Sequence, residues 1–241
     1  MLAVLVVSLV LLSTQLYIYE VGRSLDGIES IRVNDFVLAV KLGSKHVVTG
    51  ALANISVGGE GSILSANLER WVSFTGGLYM FGKPVLNHTL RNASPYTNGT
   101  RLSWGTDGFG ITSAYANFDF SLSDRQVNVK LPYAVNITTS FVVEGVYQTL
   151  QDDVKQINVT CNVLNEGNPA LAENVTVLYE DSGSWQRADK QSSYSFADYG
   201  NGTYLVSFEA DIPGENVNVS VQVYDVRGIY VQANVTCTSV T

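Results

Sequence analysis

The sequence predicts an α+β protein: a long N-terminal helix, hydrophobic and then amphipathic, followed by an antiparallel β-rich head and a C-terminal β-sandwich. Three observations carry this reading. Residues 1–19 hold no charge, and residues 20–55 hold no Pro and only isolated glycines. From Gly76 onward apolar and polar residues alternate between turn signals, the period-two mark of strands. The 241 residues divide accordingly into 1–57, the N-terminal helix; 58–151, a short helix with a β-rich head; and 152–241, the sandwich.

The chain opens "MLAVLVVSLVLLSTQLYIYE". A secretion signal has a basic start, a short apolar core and a small-residue cleavage site. No Lys or Arg precedes this run and no Ala-x-Ala-like site follows it, so it reads as the retained hydrophobic part of a chain whose basic leader has been removed. Met1–Leu12 is short for a spanning helix. Extended to Tyr19 the run reaches the roughly 20 residues a bilayer requires, with Tyr17 and Tyr19 at interfacial depth.

Helical character continues to about Ile55. Charges recur every three residues at Glu20, Arg23, Asp26, Glu29, Arg32 and Asp35. The steps Glu20–Arg23, Arg23–Asp26, Glu29–Arg32 and Arg32–Asp35 join opposite signs, which supports a helix. A three-residue step falls short of one turn, so the polar stripe winds around the rod. Such a helix suits several neighbours along its length, and an ordinary linker helix with scattered charges fits this feature equally. Leu25, Ile28, Ile31, Phe36, Val40, Val47 and Leu52 continue the apolar supply beyond one membrane thickness. "SVGGEGS" then breaks the helix. Ser62 stands where an N-cap would start a second one, "ILSANLERWVSF", with Ile63, Leu64, Leu68, Trp71 and Val72 on one side to pack against the lower half of the first.

"GITSAYANFDFSLS" and "QVNVKLPYAVNITTSFVVEGVY" read as antiparallel strands, with "TDGFG" and "SDRQ" as connections. "QDDVKQ" near residue 152 marks a boundary. Beyond it, six or seven short alternating strands with turns every 8–12 residues give an immunoglobulin-like signature. Ile157, Val159, Cys161 and Val163 share one strand face, and Val231, Ala233, Val235 and Cys237 share another. The two cysteines are too few for a metal centre and too far apart for a close-spaced redox pair. In an exported chain Cys161 and Cys237 are therefore expected to form a disulfide, closing a loop of about 77 residues worth roughly 4 kcal/mol; two free buried thiols are the alternative. This bridge would join the first strand to the last, unlike the antibody pattern around a buried Trp.

A net charge of -8 with no basic cluster excludes nucleic acid as a partner. It also disfavours anionic lipid headgroups, so membrane attachment has to be hydrophobic and lie in the opening segment. Ten Asn-x-Ser/Thr sequons occur, at Asn54, Asn87, Asn92, Asn98, Asn136, Asn158, Asn174, Asn201, Asn218 and Asn234, where chance gives roughly three. Crowding of Asn, Ser and Thr at turns and solvent-facing strand positions explains part of that excess, and glycan attachment explains the remainder. Pro95 closely follows the sequon of Asn92. All ten lie at or beyond residue 54, dividing a bare N-terminal part from a coated remainder.

Candidate chemistry is sparse, and no enzymatic activity or cofactor is expected. His46 falls in the long helix and His88 inside a sequon. No metal-ligand spacing, phosphate loop or nucleophile elbow is present. Asp152–Asp153 and Glu180–Asp181 are adjacent carboxylates, whereas acid–base catalysis needs carboxyls brought together across a cleft. Surface solvation is the reading for both pairs. The aromatic residues are spread over the strands, and no cluster in the sequence selects sugar binding.

With its hydrophobic N-terminal helix lacking a basic leader, its long amphipathic continuation and its sequon-rich β head, the chain resembles archaeal type IV pilin-like proteins. The resemblance rests on "MLAVLVVSLVLLSTQLYIYEVG" and on the architecture of the first fifty or so residues. Position 5 is Leu, not the Glu of bacterial pilins. The resemblance implies removal of a leader by a prepilin peptidase, a membrane-inserted precursor and a helical homopolymer. Its core would be built from Leu2, Val4, Leu5, Val6, Val7, Leu9, Val10, Leu11, Leu12, Leu16 and Ile18. Burying that segment would remove on the order of 1,000–1,500 Å² of apolar surface, roughly 25–40 kcal/mol before entropic costs. The expected function is thus a structural subunit of an extracellular filament with glycosylated domains outside, its adhesion partner unidentified. The alternative is a single-pass membrane-anchored surface glycoprotein or adhesin that does not polymerise; a secreted binding or enzymatic ectodomain is a third reading.

Overall fold

The computed structural model describes residues 33–78, 82–123 and 128–240. The candidate assembly residues between Leu2 and Ile18 lie outside them, as do most of the three-spaced charges. The chain forms two compact units, Met1–Gly43 and Ser44–Thr241.

Helix α1 covers Val33–Ser56, 24 residues or about 36 Å. In the first unit it exposes Leu38 and Leu42. In the second unit its Val48, Ala51, Leu52 and Ile55 are buried, spaced three and four apart as one face of a helix requires. Gly58, at φ +99°, closes it: Gly58 N–H donates to the Ile55 carbonyl and Gly59 N–H to that of Asn54, engaging otherwise orphaned carbonyls. Helix α2, Ile63–Gly76, begins after Ser62 as the sequence predicts. Its hydroxyl makes no capping bond and donates instead to Glu60 Oε2, 3.3 Å. Leu64 and Leu68 are buried, and Trp71 Nε1 donates to Ser44 Oγ at 2.9 Å, so α2 does pack on the lower part of α1.

Among the described residues twelve strands follow: β1 Lys83–Leu90, β2 Thr100–Trp104, β3 Phe109–Ser123, β4 Asn128–Gln151, β5 Val154–Asn165, β6 Asn168–Pro169, β7 Ala172–Asp181, β8 Ser184–Arg187, β9 Ser195–Asp198, β10 Thr203–Asp211, β11 Val217–Asp225 and β12 Tyr230–Ser239. "WQRADKQ" is a strand only to Arg187 and then turns as a 3-10 segment, Ala188–Lys190. One path of hydrogen-bonded neighbours runs β8-β7-β11-β12-β4-β5-β10-β9, with β1 and β2 on the far edge of β3 and β3 on β4. The β12–β4 step is parallel and two residues long, Thr238 with Val146 and Ser239 with Tyr147. The sheet folds at this short join. Inward residues of β4, β5 and β10 (Phe141, Val159, Phe208) share one buried cluster with those of β7, β11 and β12 (Tyr179, Val221, Ala233).

β4 organises the body. Its 24 residues pair with β3 over Asn128–Val142 and with β5 over Thr139–Gln151. Alternate residues Val135, Ile137, Thr139, Phe141, Val143 and Tyr147 are all buried, so one inward face continues along β4 into the shared cluster. The junction expected at 152 is therefore not a linker. Asp152 and Asp153 make the two-residue turn of the β4–β5 hairpin, with Asp152 at φ +50°. Segments 58–151 and 152–241 belong to one compact unit, because β4 of the first pairs with β5 and β12 of the second.

Candidate functional site

Helix α1 is long and apolar enough to cross a membrane by length and composition, and a third of its most apolar stretch is buried. Leu38 and Leu42 are 55% and 49% exposed. The end of the helix is tied to the strand body by polar bonds. Ser44 Oγ and the Tyr133 hydroxyl lie 2.9 Å apart, and Tyr230 N–H donates to Ser56 Oγ at 2.9 Å. Burial raises the Tyr133 pKa, opposed by the Ser44 bond. His46 borders an open groove of about 360 Å³ between α1 and α2, lined also by Gly50, Arg70, Trp71 and Phe74. His88 is half-buried on β1, and burial lowers its pKa against a raising effect from Glu69.

None of the ten sequon asparagines is buried. Asn54, Asn87, Asn92, Asn98, Asn136, Asn174 and Asn201 are exposed; Asn158, Asn218 and Asn234 are half-buried on strand faces. Five of them, Asn92, Asn136, Asn201, Asn218 and Asn234, make side-chain hydrogen bonds. Asn92 Oδ1 accepts Asn98 N–H at 2.9 Å. Asn218 donates through Nδ2 to Glu180 Oε2 at 2.9 Å and accepts from Thr236 Oγ1 at 2.8 Å.

The expected disulfide is not formed: Cys161 and Cys237 are buried free thiols. Both do face the shared core, as the alternation on β5 and β12 predicts. The Cys237 sulfur packs over β4, where a Cβ built on Gly145 would approach it to 2.4 Å, and Cys161 lies across from Val143 on the same strand. Burial pushes both thiols up to about 12, which leaves them unreactive at neutral pH.

The strongest polar constellation escapes the motif search. Asp225, fully buried, ends β11. Its Oδ1 accepts Arg227 N–H at 2.8 Å and Ile229 N–H at 3.0 Å. Its Oδ2 accepts Thr139 Oγ1 and Arg227 Nε, both at 2.7 Å. The guanidinium reaches on to Glu166 Oε1 at 2.6 Å and to the Thr138 carbonyl at 3.1 Å. This clamp fixes the β11–β12 turn and the β5–β6 turn against the middle of β4, where its two pairing partners overlap. The local signal was "DVRG": an acid two residues before a base, then Gly228 at φ +76°. Only the fold brings Glu166 and Thr139 to it.

The predicted carboxylate pairs do not converge. Asp152–Asp153 sits in the hairpin turn, while Glu180–Asp181 ends β7. Glu180 nevertheless meets residues that sequence reading left apart. It lies across β8 from Trp185 and, with Trp185, Thr106, Asn218, Asn234 and Thr236, lines a cleft of about 280 Å³. At another part of the same outer face Trp104 meets Tyr230 edge-on, 5.1 Å between ring centres. No protein-family model matches the chain, and no curated protein sequence matches it.

Proposed function

We propose that the chain is a structural subunit of an extracellular filament of the type IV pilin-like kind. It would be inserted in the membrane before assembly and polymerise through its N-terminal helix, with its glycosylated strand body outside. The observation that carries this reading is α1: beyond the apolar run Met1–Tyr19, a further 24-residue helix is still long and apolar enough to cross a membrane. It leaves Leu38 and Leu42 more than two-fifths exposed. A polar stalk above a single anchor would not need this second apolar supply, whereas a helix flanked by copies of itself buries it. Repeated head-to-tail contacts of that kind generate an open filament. Sequons confined to the strand body and its helix end, with no asparagine of the ten buried, suit a coated exterior. We read the strands from β4 onward as an immunoglobulin-like sandwich, on the strength of the two layers β9-β10-β5-β4 and β8-β7-β11-β12 and their common core.

Negative-stain electron microscopy of the purified full-length chain tests the reading. Filaments are expected for the wild type, and Leu38→Glu together with Leu42→Glu should abolish them while the strand body keeps its circular dichroism. Monodisperse detergent-bound monomers at high concentration would refute polymerisation and leave the membrane-anchored surface glycoprotein. Mass measurement before and after deglycosylation tests the coat, and an unchanged mass would remove it.

A further inference from the structure

The outer face of the β8-β7-β11-β12 layer ends in a cleft lined by an indole, a carboxylate, two amides and two hydroxyls. Its volume, about 280 Å³, falls just under the range of roughly 300–1,000 Å³ typical of sites for drug-sized ligands. That admits one small ring or a short extension of it. One wall is Trp185, 45% exposed although it is a large aromatic side chain on a strand. Facing it across the β7–β8 ladder is Glu180, already oriented because Asn218 Nδ2 donates to its Oε2 at 2.9 Å. Thr236 Oγ1 in turn holds Asn218 Oδ1 at 2.8 Å. Register places Asn218 opposite Thr236 and Ser220 opposite Asn234, so the amide, hydroxyl and carboxylate groups form adjacent rows. Glu180 Oε1 and the Asn234 amide nitrogen make no hydrogen bond among the described residues.

From this arrangement we infer that the cleft binds a neutral sugar ring. An indole face carries negative potential and attracts the weakly positive C–H face of a pyranose. A carboxylate and neighbouring amides fit the vicinal hydroxyls at the ring edge, the carboxylate supplying charge-assisted bonds. Glu180, within a chain of net charge -8, rejects acidic sugars. Two sources present this chemistry. One is the chain's own N-linked glycan, since Asn218 and Asn234 are both sequon residues lining the cleft; the other is a glycan of another molecule. Asn218, with its amide nitrogen committed to Glu180, is the poorer acceptor, so an internal ring would come from Asn234.

The experiment uses the full-length chain in mild detergent, made once without N-glycosylation and once with it. The unglycosylated form is examined by saturation-transfer NMR and calorimetric titration with methyl glucoside, methyl mannoside and chitobiose. An external ligand is shown by saturable binding of one of them that Trp185→Ala abolishes and Glu180→Gln weakens about tenfold. Thermal melting of both variants checks that they fold; Trp185 is exposed on a short edge strand, so its removal should leave the core intact. In the glycosylated form, glycopeptide mapping of Asn234 is combined with acrylamide quenching of Trp185, read against Trp185→Phe. A glycan at Asn234 that shields Trp185 establishes the internal source. Failure of all three probes to bind, together with no shielding by an Asn234 glycan, overturns the inference.

Discussion

Replacing Asp225 by Ala tests the argument that one clamp holds the strand body together at β4. The carboxylate is fully buried and accepts four hydrogen bonds, two from backbone N–H groups and one each from Thr139 and Arg227. The Arg227 side chain is 18% exposed, so removal of its buried partner leaves a guanidinium held only by Glu166 and β4. Breaking a buried ion pair from one side costs about 3–5 kcal/mol, and each stranded buried donor adds to that total unless water reaches it. The expected loss is therefore about 3–5 kcal/mol, or a fall in melting temperature of about 6–20 °C for a body of this size. Asp225→Asn keeps the shape and one acceptor and should fall between wild type and Ala. The control is Asp189→Ala, which breaks the exposed Arg187 pair and should leave the midpoint unchanged. Urea unfolding followed by tryptophan fluorescence measures all three. An Asp225→Ala midpoint indistinguishable from that of Asp189→Ala would refute the clamp.

Three further outcomes are expected. Both thiols, raised to about 12 by burial, should resist maleimide at pH 7.5 in the native chain and react fully in denaturant; a non-reducing mass two hydrogens light would instead reveal the disulfide. Gly145→Ala should destabilise by about 1–3 kcal/mol through overpacking, since its Cβ would meet the Cys237 sulfur at 2.4 Å, and Cys237→Ala in the same chain should recover most of the loss. If it does not, the clash lies elsewhere. His88, its pKa lowered below 6.5 by burial, binds its proton more readily in the unfolded chain. Its contribution is therefore complete above pH 6.5 and is lost as pH falls below that value through the lower folded pKa. His88→Gln should flatten that part of the stability–pH curve, and an unchanged slope would remove His88 from the account.

Patterns local to a few residues were legible in the sequence because each rests on backbone geometry. The α1–α2 break follows from Gly58 and its neighbours. The paired faces of β5 and β12 follow from strict alternation, and Val159 and Ala233 are buried as that alternation requires. The lack of buried sequon asparagines has the same origin, since most occupy turns or the solvent-facing phase of a strand. The "DVRG" segment carries a local turn signal in Gly228 but none of a clamp: its partners Thr139 and Glu166 are 86 and 61 residues from the groups they meet.

By itself, then, the sequence determined an apolar N-terminal helix, an alternating strand body and ten sequon asparagines that all keep clear of the core. Tertiary structure decided what joins what. It joined the segments on either side of residue 152 into one body, because β4 passes from β3 to β5 as its partner and the period-two pattern does not reveal a strand's partners. It placed the Cys237 sulfur over Gly145 instead of in a bond to Cys161, because strand phase fixes which face a thiol occupies but not which neighbour it packs against. It also gathered Glu180, Trp185 and Asn234 into one cleft. Residues on neighbouring strands stand opposite one another through register, and register is set by pairing between segments that sequence proximity does not connect.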